Sequence, residues 1–257
     1  MLKKEDRIIG KQENISYENV EKFFEDRGNQ EKKHIYNYVM YLDDNPEIAI
    51  KRDKQSKSKM DKLLSINKES RILDIGCGIG RWGEFFLERG AYYVGVDGNK
   101  KMIDRANEKL KRYNNKRLVV GDIKSLEKIL KNNKENLKFD IIFVSGVLMY
   151  LNDDDCLNLM KSMVNLSSNN STICINESMA ERERLTLNNY YSNDLKQNYS
   201  AIYRTINEYE NMMNMIFSNN FQLKLNDIMN FEDGMQKKRE IVTMEHFYIW
   251  EKNNTKN

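Results

Sequence analysis

A glycine-rich run near residue 76 restricts the fold of this chain more than any other feature. The segment Ile72–Gly83 reads ILDIGCGIGRWG, a short apolar stretch followed by glycines at four positions. Glycines directly after a strand let the backbone turn sharply and approach a ligand, because no Cβ stands in the way. A second strand-like run, Tyr92–Asp97, ends in an acid that can accept both hydroxyls of a ribose. The two runs together predict a site for a nucleoside-containing cofactor.

Apolar stretches of strand length alternate with stretches of helical spacing from Lys59 onward. This alternation predicts an α/β fold with a mostly parallel sheet and helices on both faces. The predicted strands are Arg71–Asp74, Tyr92–Val96, Arg117–Val120, Phe139–Ser145 and Thr172–Ile175. The predicted helices are Trp82–Arg89, Lys101–Tyr113, Ser125–Lys131 and Asp154–Leu166.

Two further strand-like runs, Phe221–Ile228 and Lys237–Trp250, lie near the end of the chain. The residues 230–234 between them read NFEDG, a turn-rich connection that predicts a hairpin. The expected architecture is therefore a seven-stranded, mostly parallel sheet with an antiparallel C-terminal hairpin.

The chain is predicted to divide into a helical N-terminal extension, 1–58, and a main domain, 59–257. Helical spacing between Tyr17 and Tyr41 predicts two short amphipathic helices, and Pro46 is expected to break the chain before a helical lead at Lys59–Leu64. Residues 178–219 are rich in Tyr, Asn, Arg and Met. A segment this long at the carboxyl edge of a parallel sheet predicts a substrate lid.

Charge and cysteine content exclude several classes of protein. Lys and Arg number 42 against 39 Asp and Glu, a balance of +3 that gives no strong attraction to nucleic acid or membranes. Three scattered cysteines favour neither a disulfide framework nor a metal site, so a reducing cytoplasm is expected. The N-terminal residues have no apolar segment of the kind a secretory signal needs, and the longest apolar stretch, Phe139–Leu151, is too short and broken to span a bilayer.

Two cofactors fit the glycine run, a dinucleotide and S-adenosylmethionine. The residues 78–83 match the dinucleotide pattern GxGxxG, with Asp97 near the expected spacing of its ribose acid. Three features favour S-adenosylmethionine instead. Asp74 would suit the ammonium of an amino acid, the turn Gly121-Asp122-Ile123 would suit an adenine, and the chain closes with a hairpin.

Over about residues 59–250 the sequence resembles the class I S-adenosylmethionine-dependent methyltransferases. The run from Asp74 to Gly80 resembles their first motif, Asp97 the ribose-binding acid, Asp122 the adenine-binding turn, and the run Phe139–Leu151 the motif beneath the methyl donor. The resemblance implies S-adenosyl-L-methionine as cofactor and S-adenosyl-L-homocysteine as product, in a Rossmann-like fold. The residues expected to bind the cofactor are Asp74, Gly76, Cys77, Gly78, Gly80, Trp82, Asp97, Gly98, Gly121, Asp122, Ile123, Ser145 and Gly146.

Four shorter patterns are similar to small-molecule methyltransferases of bacterial capsule and surface-polysaccharide biosynthesis. They are Phe23–Arg27, Asn45–Ala49, Gly80–Trp82 and Tyr199–Thr205. This resemblance implies O-methylation of a sugar, a nucleotide sugar or a phosphoramidate. The alternatives are N-methylation of an amino sugar or other metabolite, and an inactive cofactor-binding partner subunit. An RNA or protein methyltransferase is disfavoured, because the run after strand four shows neither a basic patch nor the expected proline motif.

Methyl transfer is an in-line displacement that depends mainly on positioning donor and acceptor. A hydroxyl acceptor also needs a general base, whereas an anionic oxygen needs none. The candidate bases are His34, His246, Glu177 and Tyr150, of which Tyr150, His34 and Glu177 are predicted to be catalytic. His246, inside the last strand-like run, is expected to pack within the sheet.

Arginines and tyrosines of the predicted lid suggest the charge of the acceptor. Arginine binds phosphate in a bidentate manner, so a small anionic acceptor is expected. The residues predicted to bind it are Arg182, Arg204, Tyr199 and Tyr203, with Arg184 nearby. The competing interpretation is a solvated helix whose arginines form salt bridges. No metal is predicted, and the protein is expected to be a monomer or a homodimer.

Overall fold

The computed structural model describes residues 6–133, 138–231 and 243–253. In chain order, the strands are β1 (Arg7–Ile9), β2 (Arg71–Ile75), β3 (Tyr92–Asp97), β4 (Lys116–Val120), β5 (Phe139–Ser145), β6 (Ser167–Ala180), β7 (Leu185–Ser192), β8 (Gln197–Tyr203), β9 (Phe221–Met229) and β10 (Thr243–Lys252). The helices are α1 (Tyr17–Asn29), α2 (Asn37–Met40), α3 (Pro46–Leu63), α4 (Arg81–Leu87), α5 (Lys100–Lys109), α6 (Leu126–Asn132), α7 (Asp153–Leu166) and α8 (Ile206–Phe217).

A seven-stranded sheet in the order β4-β3-β2-β5-β6-β10-β9 forms the centre of the molecule. The first five strands of this order pair in parallel. Strand β10 pairs antiparallel with both β6 and β9. The predicted α/β architecture with its antiparallel C-terminal strands is confirmed. Residues 232–242, which include most of the predicted turn and the start of its second strand, lie outside the described residues.

Both faces of the sheet are buried, because apolar side chains occur at consecutive positions of the central strands. Leu73 and Ile75 join a core with α6, α7 and α8, whereas Ile72 joins a second core with α4 and part of α3. Strand β5 divides in the same way, with Ile142 on one face and Phe143 on the other. Successive side chains of a strand point to opposite faces, so a continuous apolar run marks a strand covered on both sides.

The N-terminal extension differs from its prediction after residue 40. Pro46 does not break the chain but stands at the first position of α3, an 18-residue helix. Proline suits this position because its fixed φ is helical and its missing N–H has no partner there. The predicted boundary at residue 58 falls inside α3, whose Met60 is fully buried in a core of the main domain. The extension is therefore continuous with the main domain.

The predicted lid at 178–219 contains three different structures. Strand β6 extends to Ala180, so the insertion begins later than predicted. Strands β7 and β8 form a hairpin that joins β1 in a separate three-stranded antiparallel sheet. Helix α8 belongs to the main core, because Tyr209, Met213 and Phe217 are spaced along one buried face. Of the predicted lid, residues 181–205 are therefore the part that lies outside both the central sheet and the main core.

Candidate active site

A cavity of about 1120 Å³ opens where the parallel strands end. Its walls come from the loops after β2, β3, β4 and β5, from the C-terminal part of β6 and the start of β10, from helices α1 to α3 with their connections, and from the β7–β8 hairpin. Ligands of open α/β sheets bind at this carboxyl edge, where strand order reverses on either side of the first strand. In this sheet β2 is that strand, with β3 and β5 as its neighbours.

The residues from Gly76 to Gly80 after β2, which we call the glycine bend, pack against the loop after β5 on one side and against α2 on the other. Gly76 and Gly78 have φ values of +70° and +53°, which side chains with a Cβ rarely adopt. A Cβ on Gly76 would lie 2.4 Å from Val147 Cγ2, and one on Gly78 would lie 2.8 Å from Val39 Cγ1. The bend therefore packs directly against the loop after β5 and against α2, with its backbone facing the cavity.

Asp97 ends β3 beside the glycine bend. Its Oδ2 accepts a hydrogen bond from Gly78 N at 2.8 Å, and its Oδ1 accepts one from Asn99 N at 2.8 Å. A carboxylate can accept about four hydrogen bonds, so each oxygen retains capacity for a hydroxyl. Asp97 lines the cavity and is held in the position that a ribose-binding acid requires.

Most of the predicted cofactor-binding residues line this cavity. Asp122 accepts a hydrogen bond from Lys124 N at 3.0 Å, which begins a 3₁₀ turn at Ile123–Ser125 after β4. The predicted residues that line the cavity are Gly76, Gly78, Asp97, Gly98, Asp122, Ile123, Ser145 and Gly146. They come from the ends of four adjacent strands, as the sequence predicted.

Five predicted cofactor residues lie behind the cavity wall. Asp74 is 2% exposed and accepts a hydrogen bond from Tyr93 Oη at 2.7 Å. Burial raises the pKa of Asp74 to about 7, although the Tyr93 hydrogen bond opposes this shift. Asp74 does not line the cavity, since its carboxyl group supports the bend from behind, and its direct contact with a ligand stays a prediction. The others outside the lining are Cys77, Gly80, Trp82 and Gly121.

Tyr150 follows β5 on a buried 3₁₀ turn and lines the cavity, as do Tyr199 and Tyr203 of β8. The Tyr199 hydroxyl lies 2.8 Å from that of Tyr203 and 3.4 Å from that of Tyr150. Burial raises the pKa of Tyr150 well above its usual value, so its hydroxyl stays protonated and can donate a hydrogen bond. Tyr150 is thus placed as predicted, but it is unsuited to act as a base.

Tyr41 completes this group of hydroxyls, and sequence reasoning did not assign it to the site. Its hydroxyl is hydrogen-bonded to that of Tyr150. The backbone of Tyr41 and Leu42 is strained, with φ values of 62° and 48°. The buried Asn37 side chain holds this turn by donating hydrogen bonds to the carbonyls of Tyr41 and Leu42, at 2.7 and 2.9 Å. A tyrosine-rich segment before Pro46 was the available signal.

Glu177 lies in β6, on the cavity wall, and is 1% exposed. Its Oε1 accepts hydrogen bonds from Val147 N at 2.7 Å and Leu148 N at 2.9 Å, which fixes the turn that carries Tyr150. Its Oε2 has no hydrogen-bond partner among the described residues. Burial raises the pKa of Glu177 to about 7, against the opposing effect of those backbone N–H groups. A carboxyl group with such a pKa can exchange a proton near neutral pH.

Neither histidine lies on the cavity wall. His34 Nδ1 accepts a hydrogen bond from Tyr36 N at 3.2 Å, so the histidine caps a local turn instead of reaching the site. The structure does not place His34 on the cavity wall, and its catalytic role stays a prediction. His246 is hydrogen-bonded to Asn226 in the neighbouring strand, as its expected role in the sheet requires.

Arg204 and Arg184 are structural, contrary to the prediction that the lid arginines face an acceptor. Arg204 is fully buried and donates to Asp153 Oδ1 at 2.8 Å, to Leu148 O at 2.9 Å and to Leu151 O at 2.7 Å. Arg184 donates to the same Asp153 oxygen at 2.9 Å. Burial alone would raise the pKa of Asp153, but the hydrogen bonds and charges of the two arginines hold it below its usual value. Arg182 is exposed and does not line the cavity.

Two further properties of the described residues bear on the site. No three His, Cys, Asp or Glu side chains among them are grouped so that they could hold a metal ion. In the same residues, no helix is both long enough and apolar enough to cross a bilayer.

Residues 72–170 match the protein family described as a methyltransferase domain. The match covers less than half of the chain, and over these residues the chain is similar to that family. The matched residues include the glycine bend, Asp97, Asp122 and Tyr150, and the match supports the resemblance drawn from those motifs. The match ends within β6, so Glu177 and the β7–β8 hairpin lie outside it.

Curated proteins with similar sequences align with this chain over only part of their own length. Phosphoethanolamine N-methyltransferase 1 of Zea mays is 27% identical over 116 residues, which are 45% of this chain and 22% of that protein. The ubiquinone biosynthesis O-methyltransferase of Pelagibacter ubique is 38% identical over 88 residues, or 34% of each chain. This chain therefore spans between about a fifth and a third of these relatives.

A solved structure extends the likeness over the whole fold. The 1,6-didemethyltoxoflavin-N1-methyltransferase of Burkholderia thailandensis, solved with its acceptor and S-adenosylhomocysteine, covers 98% of this chain and 98% of its own. Its TM-score is 0.63 at 14% identity. The matched residues and their flanking segments thus have the Rossmann-like fold of the S-adenosylmethionine-dependent methyltransferases.

Proposed function

We propose that this protein transfers a methyl group from S-adenosylmethionine to a small-molecule acceptor. The observation that carries the proposal is the composition of one cavity. The glycine bend, Asp97 and Asp122 occupy the positions of a nucleoside site, and the same cavity continues to Tyr150, Tyr199 and Glu177. A methyl donor and its acceptor must occupy one continuous space for an in-line displacement.

The size of the cavity supports two occupants. Pockets for a single small ligand commonly measure about 300–1000 Å³, and this one measures about 1120 Å³. Each step along the sheet is about 4.8 Å, so Glu177 on β6 lies about 10 Å across the sheet from the glycine bend on β2. The cofactor occupies the side of β2 and β3, and the acceptor occupies the side of β6 and β8.

Glu177 is the candidate general base. Its Oε1 holds the turn at Val147 and Leu148, which leaves Oε2 to accept a proton from the acceptor. Tyr150 and Tyr199 donate hydrogen bonds that orient the acceptor. S-adenosylmethionine supplies an electrophilic methyl group, and the protein contributes alignment and exclusion of water.

The finer predictions, on acceptor and pathway, have unequal support. Capsule or surface-polysaccharide biosynthesis rests only on short sequence patterns, and the relatives described above concern phosphoethanolamine, ubiquinone biosynthesis and a toxoflavin precursor. Those relatives include both N- and O-methyltransferases. The prediction of an anionic acceptor was based on the arginines of the lid. It loses the support of Arg204, because that side chain is buried in an ion pair. Monomer or homodimer and the cytoplasmic location stay predictions.

Calorimetry and turnover test the proposed function directly. We expect S-adenosylhomocysteine to bind with one-to-one stoichiometry and NAD to show no binding. Turnover of methyl-labelled donor would then be measured against amines, phosphorylated sugars, nucleotide sugars and phosphoramidates. Binding of NAD in preference to S-adenosylhomocysteine contradicts the cofactor assignment. Cofactor binding without transfer to any class of acceptor supports the alternative of an inactive subunit.

A further inference from the structure

An aromatic surface forms the acceptor side of the cavity. We call it the tyrosine wall. Its members are Phe24, Tyr41, Tyr150, Tyr199 and Tyr203. The ring centroids of Phe24 and Tyr150 are 5.0 Å apart, and those of Tyr150 and Tyr199 are 6.2 Å apart, both edge to face. Ring faces carry negative potential, so a wall of this kind attracts a cation.

The charged side chains that line the cavity are mainly acidic. The acidic ones are Glu18, Glu21, Glu25, Asp43, Asp44, Asp97, Asp122, Glu177, Asp194 and Glu245. The basic ones are Lys22, Arg52, Arg81, Lys100 and Lys124. Ion pairs occur on both sides of this balance. Arg81 pairs with Asp53 at 2.9 Å and Lys100 with Asp104 at 2.7 Å. Among the acids, Glu25 pairs with Lys101 at 2.7 Å, Asp43 with Arg27 at 2.8 Å and Asp44 with Lys196 at 3.4 Å. The excess of carboxylates favours a positively charged ligand over an anion.

The most buried carboxyl group of the lining, that of Glu177, has one oxygen without a partner. Among the described residues, its Oε2 has no hydrogen-bond partner. The charge of Arg204 lowers the pKa of Glu177, but Arg204 donates its hydrogen bonds to Asp153, Leu148 and Leu151. A buried polar group without a partner costs free energy that a ligand can recover by supplying a donor. An ammonium group has N–H donors and the complementary charge.

We infer that the acceptor is a small amine, which enters as its ammonium form and binds between the tyrosine wall and Glu177. This inference rests on the proposed function, because the methyl donor must lie at the glycine bend for the tyrosine wall to face the acceptor. In the transfer, the ammonium first gives one proton to the Glu177 carboxylate. The nitrogen lone pair then bonds to the methyl carbon while the carbon–sulfur electron pair stays on sulfur, which yields a methylammonium and neutral S-adenosylhomocysteine.

Three isosteric probes test the charge preference without knowledge of the natural acceptor. They are the cation 3,3-dimethylbutylammonium, the neutral 3,3-dimethyl-1-butanol, and the anion 3,3-dimethylbutanoate. Each is titrated into protein loaded with S-adenosylhomocysteine, and the dissociation constant is measured by ligand-observed NMR. We expect the ammonium to bind about tenfold more tightly than the alcohol, and the anion to bind most weakly, because desolvated cation–π contacts are worth about this much.

Variants separate the wall from the rest of the fold. Tyr199→Leu should abolish the preference for the ammonium, whereas Tyr199→Phe, which keeps the ring, should retain most of it. Tyr191→Leu is the matched control, because Tyr191 lies on the adjacent strand β7, is 45% exposed and is outside the cavity lining. Its preference should equal that of the parent.

Each contrary outcome has a distinct meaning. Equal binding of the ammonium and the alcohol, tighter binding of the anion, or no binding of the ammonium at millimolar concentration overturns the amine acceptor. If S-adenosylhomocysteine binds in those experiments, the proposed methyltransferase function survives. If S-adenosylhomocysteine itself does not bind, the proposed function fails together with this inference.

Discussion

The two sides of the cavity are built by different means. The cofactor side consists of backbone bends and short acids at the ends of adjacent strands, as Gly76, Gly78 and Asp97 illustrate. The acceptor side is built from large side chains of three distant segments, represented by Tyr41, Tyr150 and Tyr199. Local sequence specifies the first side, whereas the second exists only after the chain has folded.

The largest expected effect is on stability, and it tests whether Arg204 forms a buried ion pair or contacts the acceptor. Arg204→Ala should lower the free energy of unfolding by about 3–5 kcal/mol. It removes a fully buried guanidinium that pairs with Asp153 and binds the carbonyls of Leu148 and Leu151, and it leaves the half-buried Asp153 with Arg184 as its remaining arginine. Urea denaturation followed by circular dichroism measures this change. Arg182→Ala, at an exposed position of the same segment, is the control and should change stability very little. A folded Arg204→Ala variant with parental stability and a raised acceptor KM would restore the original assignment of Arg204.

The second prediction concerns Glu177 and pH. The pKa of Glu177 is raised from 4.5 to about 7, so the folded state holds a proton that the unfolded state has released between these values. Stability should therefore be fully present below about pH 4.5 and fall as pH rises through about 7, by about 3 kcal/mol from this group. Asp74, whose pKa is also raised to about 7, acts in the same direction.

Glu177→Gln should remove its part of this pH dependence and leave that of Asp74. Urea denaturation at pH 4.5 and pH 8 measures the slope, which Glu108→Gln, on the exposed face of α5, should leave unchanged. The same Glu177→Gln variant should lose methyl transfer while it retains S-adenosylhomocysteine binding. An unchanged slope would place Glu177 in a more polar environment than the structure gives it.

A third prediction tests the cofactor side. Asp97→Ala should weaken S-adenosylhomocysteine binding at least about tenfold, because charge-assisted hydrogen bonds to ribose are worth about 1.5–3 kcal/mol each. Calorimetry gives the dissociation constant. Asp104→Ala, an exposed acid on α5, is the matched control. Equal affinities in the two variants would remove Asp97 from the cofactor site.

The smallest expected effect is on the acceptor side. Tyr150→Phe removes one hydroxyl and should lower kcat/KM for the acceptor about two- to tenfold, the value of a single hydrogen bond of about 0.5–1.5 kcal/mol. Cofactor affinity should stay the same, and this contrast separates the two sides of the cavity. Tyr113→Phe, at a position distant from the cavity lining, controls for loss of a hydroxyl. A parallel loss of cofactor affinity would show that the two sides are not independent.

The parts of the molecule that sequence predicted are those with local causes. The glycines after β2 and the acid at the end of β3 mark backbone geometry that one short segment determines. The continuous apolar run of β5 identifies it as a strand covered on both faces. Pro46 was misread because proline is compatible both with a break and with the first turn of a helix. Its neighbours favour the first turn of a helix, since Asn45 stands at the N-cap position and Glu47 in the first turn of α3.

Arg204 shows why the role of a side chain is harder to predict from sequence than the course of the backbone. A guanidinium group binds an external phosphate and an internal carboxylate with the same geometry. The sequence shows Arg204 and Asp153 separated by some fifty residues, and only the pairing of β6 with its neighbours brings the two together. The tyrosine wall has the same origin, since Tyr41 meets Tyr150 across 109 positions of the chain.

The strained turn at Tyr41 and Leu42 has a consequence for how ligands reach the cavity. Residues held at such φ values cost about 1–3 kcal/mol each, and the Asn37 amide together with Arg27, which pairs with Asp43 at 2.8 Å, offsets that cost. When these few hydrogen bonds open, the backbone relaxes and recovers the stored free energy. We therefore expect the amide hydrogens of residues 37–45 to exchange with solvent faster than those of the central sheet. We also expect ligands to enter the cavity when this segment opens.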